Sequence, residues 1–494
     1  MKQSKVLVIG AGLGGVSAAI SLRQRGYAVE VYEKNSHLGG KLNVLHLDGY
    51  TFDLGPSILT LPHYLRRLFE RSGRRMEEYL HLQPVRPHWR NFFEDGAVVD
   101  LWPEPERMAA EALKVGEPPE NVQRFLRYSG ALYDHIERGY FEEGLDSWRD
   151  FAKFYGLFQF RRFDILRSMH QGVAAYFRTQ YFRDIFDFFI KYVGSSAYRA
   201  PGFMNCLPTI QFRYDLWYVR GGMYGIATAL RRLMEELDIP LHLGCEVVRL
   251  RHDGSRVSGI VTRAGRFHEA DAVVCNMEYL PAREKLLGES PSALAALERK
   301  YEPSCSGLVI ELGLDCQYPH LAHHNFFFSR DLKEHFADVF ERYQLPEDPT
   351  VYVVAATRSD SSLAPSGCDT LKILPHIPYR RTDRCWTHAD YLGLKQRIYA
   401  KLERMGLRDL QRHIVREHVW TPRDIEELYF SHRGSIYGVV SDRWRNFGFK
   451  APKQSRQFAN LFFVGGSVNP GAGMPMVILC GQTVARMIER WERG

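Results

Sequence analysis

The chain has 494 residues, 45% of them hydrophobic and 25% charged, which suits a folded protein of about three packed units and excludes wholesale disorder. Lysine and arginine total 65 against 58 acidic residues, and this +7 excess, spread without a basic arm or zinc knuckle, favours anionic surfaces and excludes nucleic acid as a partner. Eight cysteines, at 206, 245, 275, 305, 316, 368, 385 and 480, stand apart with no CxxC pair, which points to free thiols in a reducing compartment and to no metal site.

The first element is a short apolar strand, Val6 to Ile9, of the kind buried in a parallel sheet. It runs into Gly10, Gly12, Gly14 and Gly15. Gly10 permits the sharp turn, Gly12 lets the backbone approach a pyrophosphate, and Gly15 lets the next helix, carrying Val16, Ala19 and Ile20, pack on the strand. A diphosphate fits on the free N–H groups at that helix start. A second strand, Ala28 to Tyr32, ends at Glu33, 18 residues past Gly15, where an acceptor for a ribose diol is needed. Gly39, Gly40 and Lys41 then resemble the second pyrophosphate contact of flavoproteins with two dinucleotide-binding motifs, which favours FAD over NAD. Met1 and Lys2 before an apolar stretch imitate a secretory signal, but the alternating glycines and the acids at Glu30 and Glu33 argue against one.

From Tyr64 to Gly130 the pattern is helical, interrupted by a strand pair from Trp89 to Leu101 that turns at Glu94-Asp95-Gly96. The helical block from Pro118 to Val193 is rich in aromatics, among them Phe151, Phe154, Phe158, Phe160, Phe163, Phe177, Phe182, Phe186, Phe188 and Phe189. Basic residues interleave, including Lys153, Arg161, Arg162 and Lys191. That mixture suits a surface at lipid headgroup level, and equally a helical cap with an aromatic core.

Leu216 to Val219 and the glycines at 221, 222 and 225 return the chain to the nucleotide-binding part, followed by a helix from Ile226 to Leu237. Pro240 to Leu250 reads as one strand, Ser255 to Ala270 as a hairpin, and Ala272 to Val274 as a buried strand. Strands at Leu308 to Leu312, Phe326 to Ser329, Val351 to Ala355 and Leu371 to Leu374 form a mixed sheet fit for a cavity floor, with a helix from Asp390 to Met405 beside it. The uncharged stretch from Phe458 to Ala485 is long enough to span a bilayer. Pro470, Pro475 and the glycines from Gly465 to Gly473 make a buried strand, turn and helix the better reading, so membrane contact is expected to be peripheral. Gly465, Gly466, Ser467, Met474 and Pro475 lie where that last helix N-terminus would face the flavin.

Over essentially its whole length the chain resembles the bacterial carotenoid desaturase and oxidase family, a branch of the amine-oxidase-like FAD enzymes. The resemblance is carried by Gly10 to Gly15, Gly39 to Lys41, Phe52 to Ser57, Gly221 to Gly225 and Val464 to Pro475. It implies an α/β fold: a Rossmann-like FAD-binding domain (1–80, 216–280, 421–494), a helical membrane-facing cap (81–215) and an inserted mixed-sheet substrate domain (281–420). It also implies FAD contacts at Gly55, Pro56 and Val247, with Met474 and Asn469 at the isoalloxazine.

Four segments, Lys191 to Ser196, Leu321 to Phe328, Leu374 to Tyr379 and Gly434 to Val440, resemble the subgroup that oxidises terminal methyl groups of diapocarotenoids to aldehydes. Where family desaturases carry Thr-His-Pro, this chain has Val468-Asn469-Pro470. The partners implied are an apolar carotenoid and the cytoplasmic face of a membrane. Alternatives are a carotenoid desaturase, and a non-catalytic isoprenoid escort, against which Glu33 and Gly39-Gly40 count. No residue presents itself as a catalytic base; the pair His323-His324 is the one considered.

Overall fold

The computed structural model describes residues 4–156 and 162–493. Its organising layer is a parallel sheet of five strands: β1 (Lys5–Ile9), β2 (Ala28–Tyr32), β3 (Leu241–His242), β4 (Ala272–Cys275) and β5 (Leu461–Phe463), in the order β5-β4-β1-β2-β3. Val6, Leu7 and Val8 of the central strand are fully buried, as a parallel strand covered on both faces must be. The chain winds from β1 to β2 on one side and returns to β4 on the other. This reversal opens a crevice beyond the strands' carboxyl ends.

Helix α1 (Leu13–Arg23) follows β1, and α2 (Met474–Glu492) follows β5. They cross closely: Ser17 Oγ donates to the Ile478 carbonyl at 2.6 Å. A Cβ at Gly481 would stand 2.6 Å from the Ala18 nitrogen, so only glycine permits this crossing. The uncharged stretch thus folds as strand, turn and helix. Among the described residues no helix is long and apolar enough to cross a membrane.

A second, mixed sheet runs Ile414–Trp420, Val309–Leu314, Asp369–Ile377, Val351–Val354, His324–Phe327, Trp89–Phe92 and Val98–Leu101. The Trp89 to Leu101 hairpin, read from sequence inside a helical segment, joins this sheet by parallel pairing of Asn325 with Arg90 and Phe326 with Asn91. An isolated hairpin is marginal in water, and the open edge at His324–Phe327 supplies its partner. The segment from Pro240 to Leu250 is two strands rather than one. Gly244 adopts φ +64° and turns the chain out of the parallel sheet into a small antiparallel one that starts at Val247.

The aromatic block is mostly interior. Phe163, Phe177, Phe182, Phe186, Phe188 and Phe189 are buried, with ring pairs such as Trp89 and Phe189 stacked at 4.2 Å. Phe154 is exposed. Phe158, Phe160 and Arg161 lie outside the described residues.

Candidate functional site

The crevice is a pocket lined by Gly10, Gly12 and Gly14 after β1, Glu33 after β2, Asn276 after β4, and Gly465 and Gly466 after β5. Gly39, Gly40, Lys41, Gly55, Pro56, Val247 and Met474 complete it among the residues expected from sequence. Gly15, Ser467 and Pro475 do not line it. A Cβ on Gly15 would collide with the Gly10 carbonyl, so that glycine serves the packing of α1 on β1. Ser467 faces away: its Oγ accepts the Tyr279 N–H at 2.9 Å. Pro475 sits in the first turn of α2, where a missing N–H costs nothing.

The two glycine segments lie side by side, Gly12 bridged to Gly39 as in a one-residue sheet, with the Gly39 N–H on the Ala11 carbonyl at 2.8 Å. Glu33 is buried. Its Oε2 accepts the Ala11 N–H at 2.7 Å and its Oε1 the Asn35 N–H at 2.8 Å, which fixes the carboxylate and leaves lone pairs for a ribose diol. Lys41 pairs with Glu278 at 2.8 Å and also meets the Ser435 carbonyl, so its charge is committed within the wall.

Asn276 is one lining residue that sequence reasoning missed. It sits under the turn: a Cβ on Gly12 would lie 2.6 Å from its Nδ2 and one on Gly14 2.7 Å from its Oδ1. Its position just past a buried strand of the parallel sheet was the available signal.

The separate motifs interlock behind the pocket. The Asp53 carboxylate accepts the Met223 N–H at 2.8 Å, joining the Phe52 to Ser57 and Gly221 to Gly225 segments. Burial raises the Asp53 pKa, with the Met223 N–H pulling the other way. Lys372, from the second sheet, lines the pocket and donates to the Asp53 carbonyl at 2.8 Å; burial lowers its pKa against Glu311 and Asp53. Glu311 is fully buried, neither oxygen has a hydrogen-bond partner among the described residues, and burial pushes it up to about 8.

A second cavity, about 350 Å³ in volume, is apolar: Ile136, Phe151, Phe163, Ile165, Pro201, Phe203, Phe447 and Phe449 line it, with Tyr140 and Arg443. The Tyr140 hydroxyl donates to Asn469 Oδ1 at 2.7 Å, so this cavity abuts the turn leading to Gly473 and Met474 of the nucleotide pocket. Asn469 itself does not line that pocket. It is fully buried, and its Oδ1 also accepts the Lys450 N–H at 2.7 Å.

His323 and His324 are buried as well. Burial drives the His323 pKa down to about 3, and the ring bonds to Ser359 Oγ at 2.6 Å, a structural engagement. Outside the pocket, Asp315, Cys316 and His413 bring three ligand-type atoms within 4.8 Å of one another, two of them joined by a hydrogen bond at 2.8 Å.

A doubly wound sheet, a glycine turn at its switch point and a buried acid after the second strand define a dinucleotide-binding oxidoreductase. Residues 13–488 match the family model of flavin-containing amine oxidoreductases, and the chain belongs to that family. The 4,4'-diapolycopene oxygenase of Methylomonas sp is 52% identical over 97% of both chains. The 4,4'-diaponeurosporene oxygenase of Staphylococcus haemolyticus is 44% identical over 100% of this chain and 98% of its own. Among solved structures, putrescine oxidase bound to putrescine superposes with a TM-score of 0.67 at 15% identity over 99% of both chains. Cyclohexylamine oxidase from Brevibacterium oxydans superposes at 0.63 and 17% over 100% of both. The protein is an FAD oxidoreductase, and its glycine cradle and buried acid fit that cofactor.

Proposed function

We propose that this enzyme oxidises the terminal methyl groups of diapocarotenoids to aldehydes in carotenoid biosynthesis. The observation that carries the reading is the 52% identity, sustained over 97% of both chains, to a 4,4'-diapolycopene oxygenase. The apolar cavity against the turn before Met474 supports it, because a polyene needs a dry channel that brings one chain end to the flavin.

When bound, FAD supplies the redox chemistry. Glu33 would hold the ribose, and the N–H groups at the start of α1, with the Gly39 segment, the diphosphate. The N-terminus of α2 at Met474 would hold the electron-rich end of the ring system. The phenylalanines of the second cavity exclude water and align the chain so that an allylic methyl, whose C–H bonds are weak, meets the ring.

The substrate is too apolar to arrive through water, and the mouth of the second cavity is the entrance we assign. Leu166 is 85% exposed, Trp444 74% and Phe447 62%, large values for such side chains. The Arg443 guanidinium donates to the Leu166 carbonyl at 3.0 Å and lies over the Trp444 ring, so apolar and cationic groups share one patch. This suits peripheral docking on an anionic leaflet at the cytoplasmic side of the membrane.

The test is to supply FAD-loaded enzyme with diapolycopene in vesicles under air and record product masses. Exchange of two hydrogens for one oxygen at a chain end is expected. Loss of hydrogen pairs without oxygen would refute the reading in favour of a desaturase.

A further inference from the structure

The four segments that resemble the methyl-oxidising subgroup meet at one buried place beside the nucleotide pocket. Lys191, from the first, is its centre. Its nitrogen lies 4.4 to 4.8 Å from the ring centroids of Trp89, Tyr192, Phe326 and Tyr352. Among the described residues no carboxylate pairs with it, and burial alone holds its pKa well below that of an ordinary lysine. From the second segment, His324 Nδ1 lies 2.9 Å from the Tyr352 hydroxyl, while its buried Nε2 has no hydrogen-bond partner among the described residues. From the third and fourth, His376 Nε2 lies 3.5 Å from the hydroxyl of Tyr437, and Tyr437 is part of the nucleotide-pocket wall.

A hydrocarbon gives no reason for such a centre. Burying an amine that no described carboxylate faces, beside an imidazole nitrogen without a described hydrogen-bond partner, is expensive, and four ring faces recover only part of that for a cation. The expense has a use if a polar group arrives later, and the first oxidation of a methyl group creates one. A neutral amine can accept the O–H of an alcohol and donate to the oxygen of an aldehyde.

We infer that Lys191, assisted by His324, is the binding site for the oxygenated end of the polyene, selecting the alcohol for its second oxidation over the parent hydrocarbon. This rests on the reading of the protein as a terminal-methyl oxidase. A site built to bond a hydroxyl discriminates against the analogue that lacks it, because its own polar groups are then left unpaired.

The experiment feeds the FAD-loaded wild type and Lys191→Met with diapolycopene and, separately, with its terminal alcohol, measuring kcat/KM for each and the ratio of alcohol to aldehyde formed. Methionine keeps the length and apolar stem and loses the amine. In the variant the preference for alcohol over hydrocarbon should fall on the order of tenfold, one hydrogen bond's worth, and alcohol should accumulate. A purely structural role would depress both substrates together.

If the wild type makes aldehyde and the variant keeps the same preference, the inference is overturned and the function stands. If the wild type adds no oxygen to either substrate, the function falls and the inference with it. Should Lys191→Met not fold, titrating the wild type with alcohol and hydrocarbon in vesicles decides: tighter binding of the alcohol supports the site, and equal binding overturns it.

Discussion

Gly12→Val isolates space from backbone freedom. Gly12 has φ −69° and ψ 168°, values open to any residue, so valine strains nothing in the chain itself. The obstacle is room: its Cβ would stand 2.6 Å from Asn276 Nδ2, and the two methyls beyond it project into the pocket between Gly12 and Gly40. Displacing the diphosphate from the N–H groups of the turn removes about two charge-assisted hydrogen bonds, worth roughly 1.5–3 kcal/mol each. Together these weaken FAD binding by about two to four orders of magnitude. The assay is flavin absorbance after gel filtration, followed by fluorescence titration of the apoprotein, with thermal unfolding to show that the chain is folded. A folded variant that retains stoichiometric flavin with wild-type affinity would refute the assignment of this turn to the diphosphate.

Gly481→Val drives side-chain atoms against the Ala18 backbone nitrogen at the crossing of α1 and α2, where nothing can yield cheaply, and should lower stability by about 2–3 kcal/mol in thermal or urea unfolding. Lys450 is fully buried and burial lowers its pKa from 10.5 to about 7. The folded state therefore releases a proton that the unfolded state keeps between those values, so its destabilising effect is complete below pH 7 and is relieved as pH rises toward 10. Lys450→Met should accordingly gain more in Tm relative to wild type at pH 6 than at pH 9, and an equal difference at both would contradict the assignment. The pair Trp444→Asp and Phe447→Asp should cut sedimentation with anionic vesicles several-fold while flavin content holds, since each removes a lipid-facing ring and repels the surface.

The nucleotide half of the site was legible because its physics is local. A strand, a glycine turn, a helix and a second strand ending on Glu33 are adjacent in the chain, and their spacing alone demands that geometry. Asn276 was only half legible: the buried strand before it could be read, but the pairing of β4 with β1 is what brings it beneath Gly12. The aromatic block defeats sequence for a different reason: Phe182 and Phe186 show helical spacing on either a core face or a lipid face, and only the neighbours Phe177 and Phe125 decide for the core. Lys191 is the extreme case. In sequence it is one more cation in a basic and aromatic stretch, and its isolation among rings depends on strands from 89 to 354 closing over it. Family resemblance foresaw that its segment mattered, while composition and periodicity did not.

The bond between Ser17 and Ile478 ties residues 461 positions apart, and it holds against α1 the helix whose Met474 lines the pocket. On a ribosome, β1, α1 and β2 emerge before β5 and α2 and can assemble first. The walls at Gly465, Gly466 and Met474 are therefore added to the pocket after those at Gly10, Glu33 and Gly39. Until Ala272–Cys275 is made, β1 keeps unpaired the edge that β4 later covers.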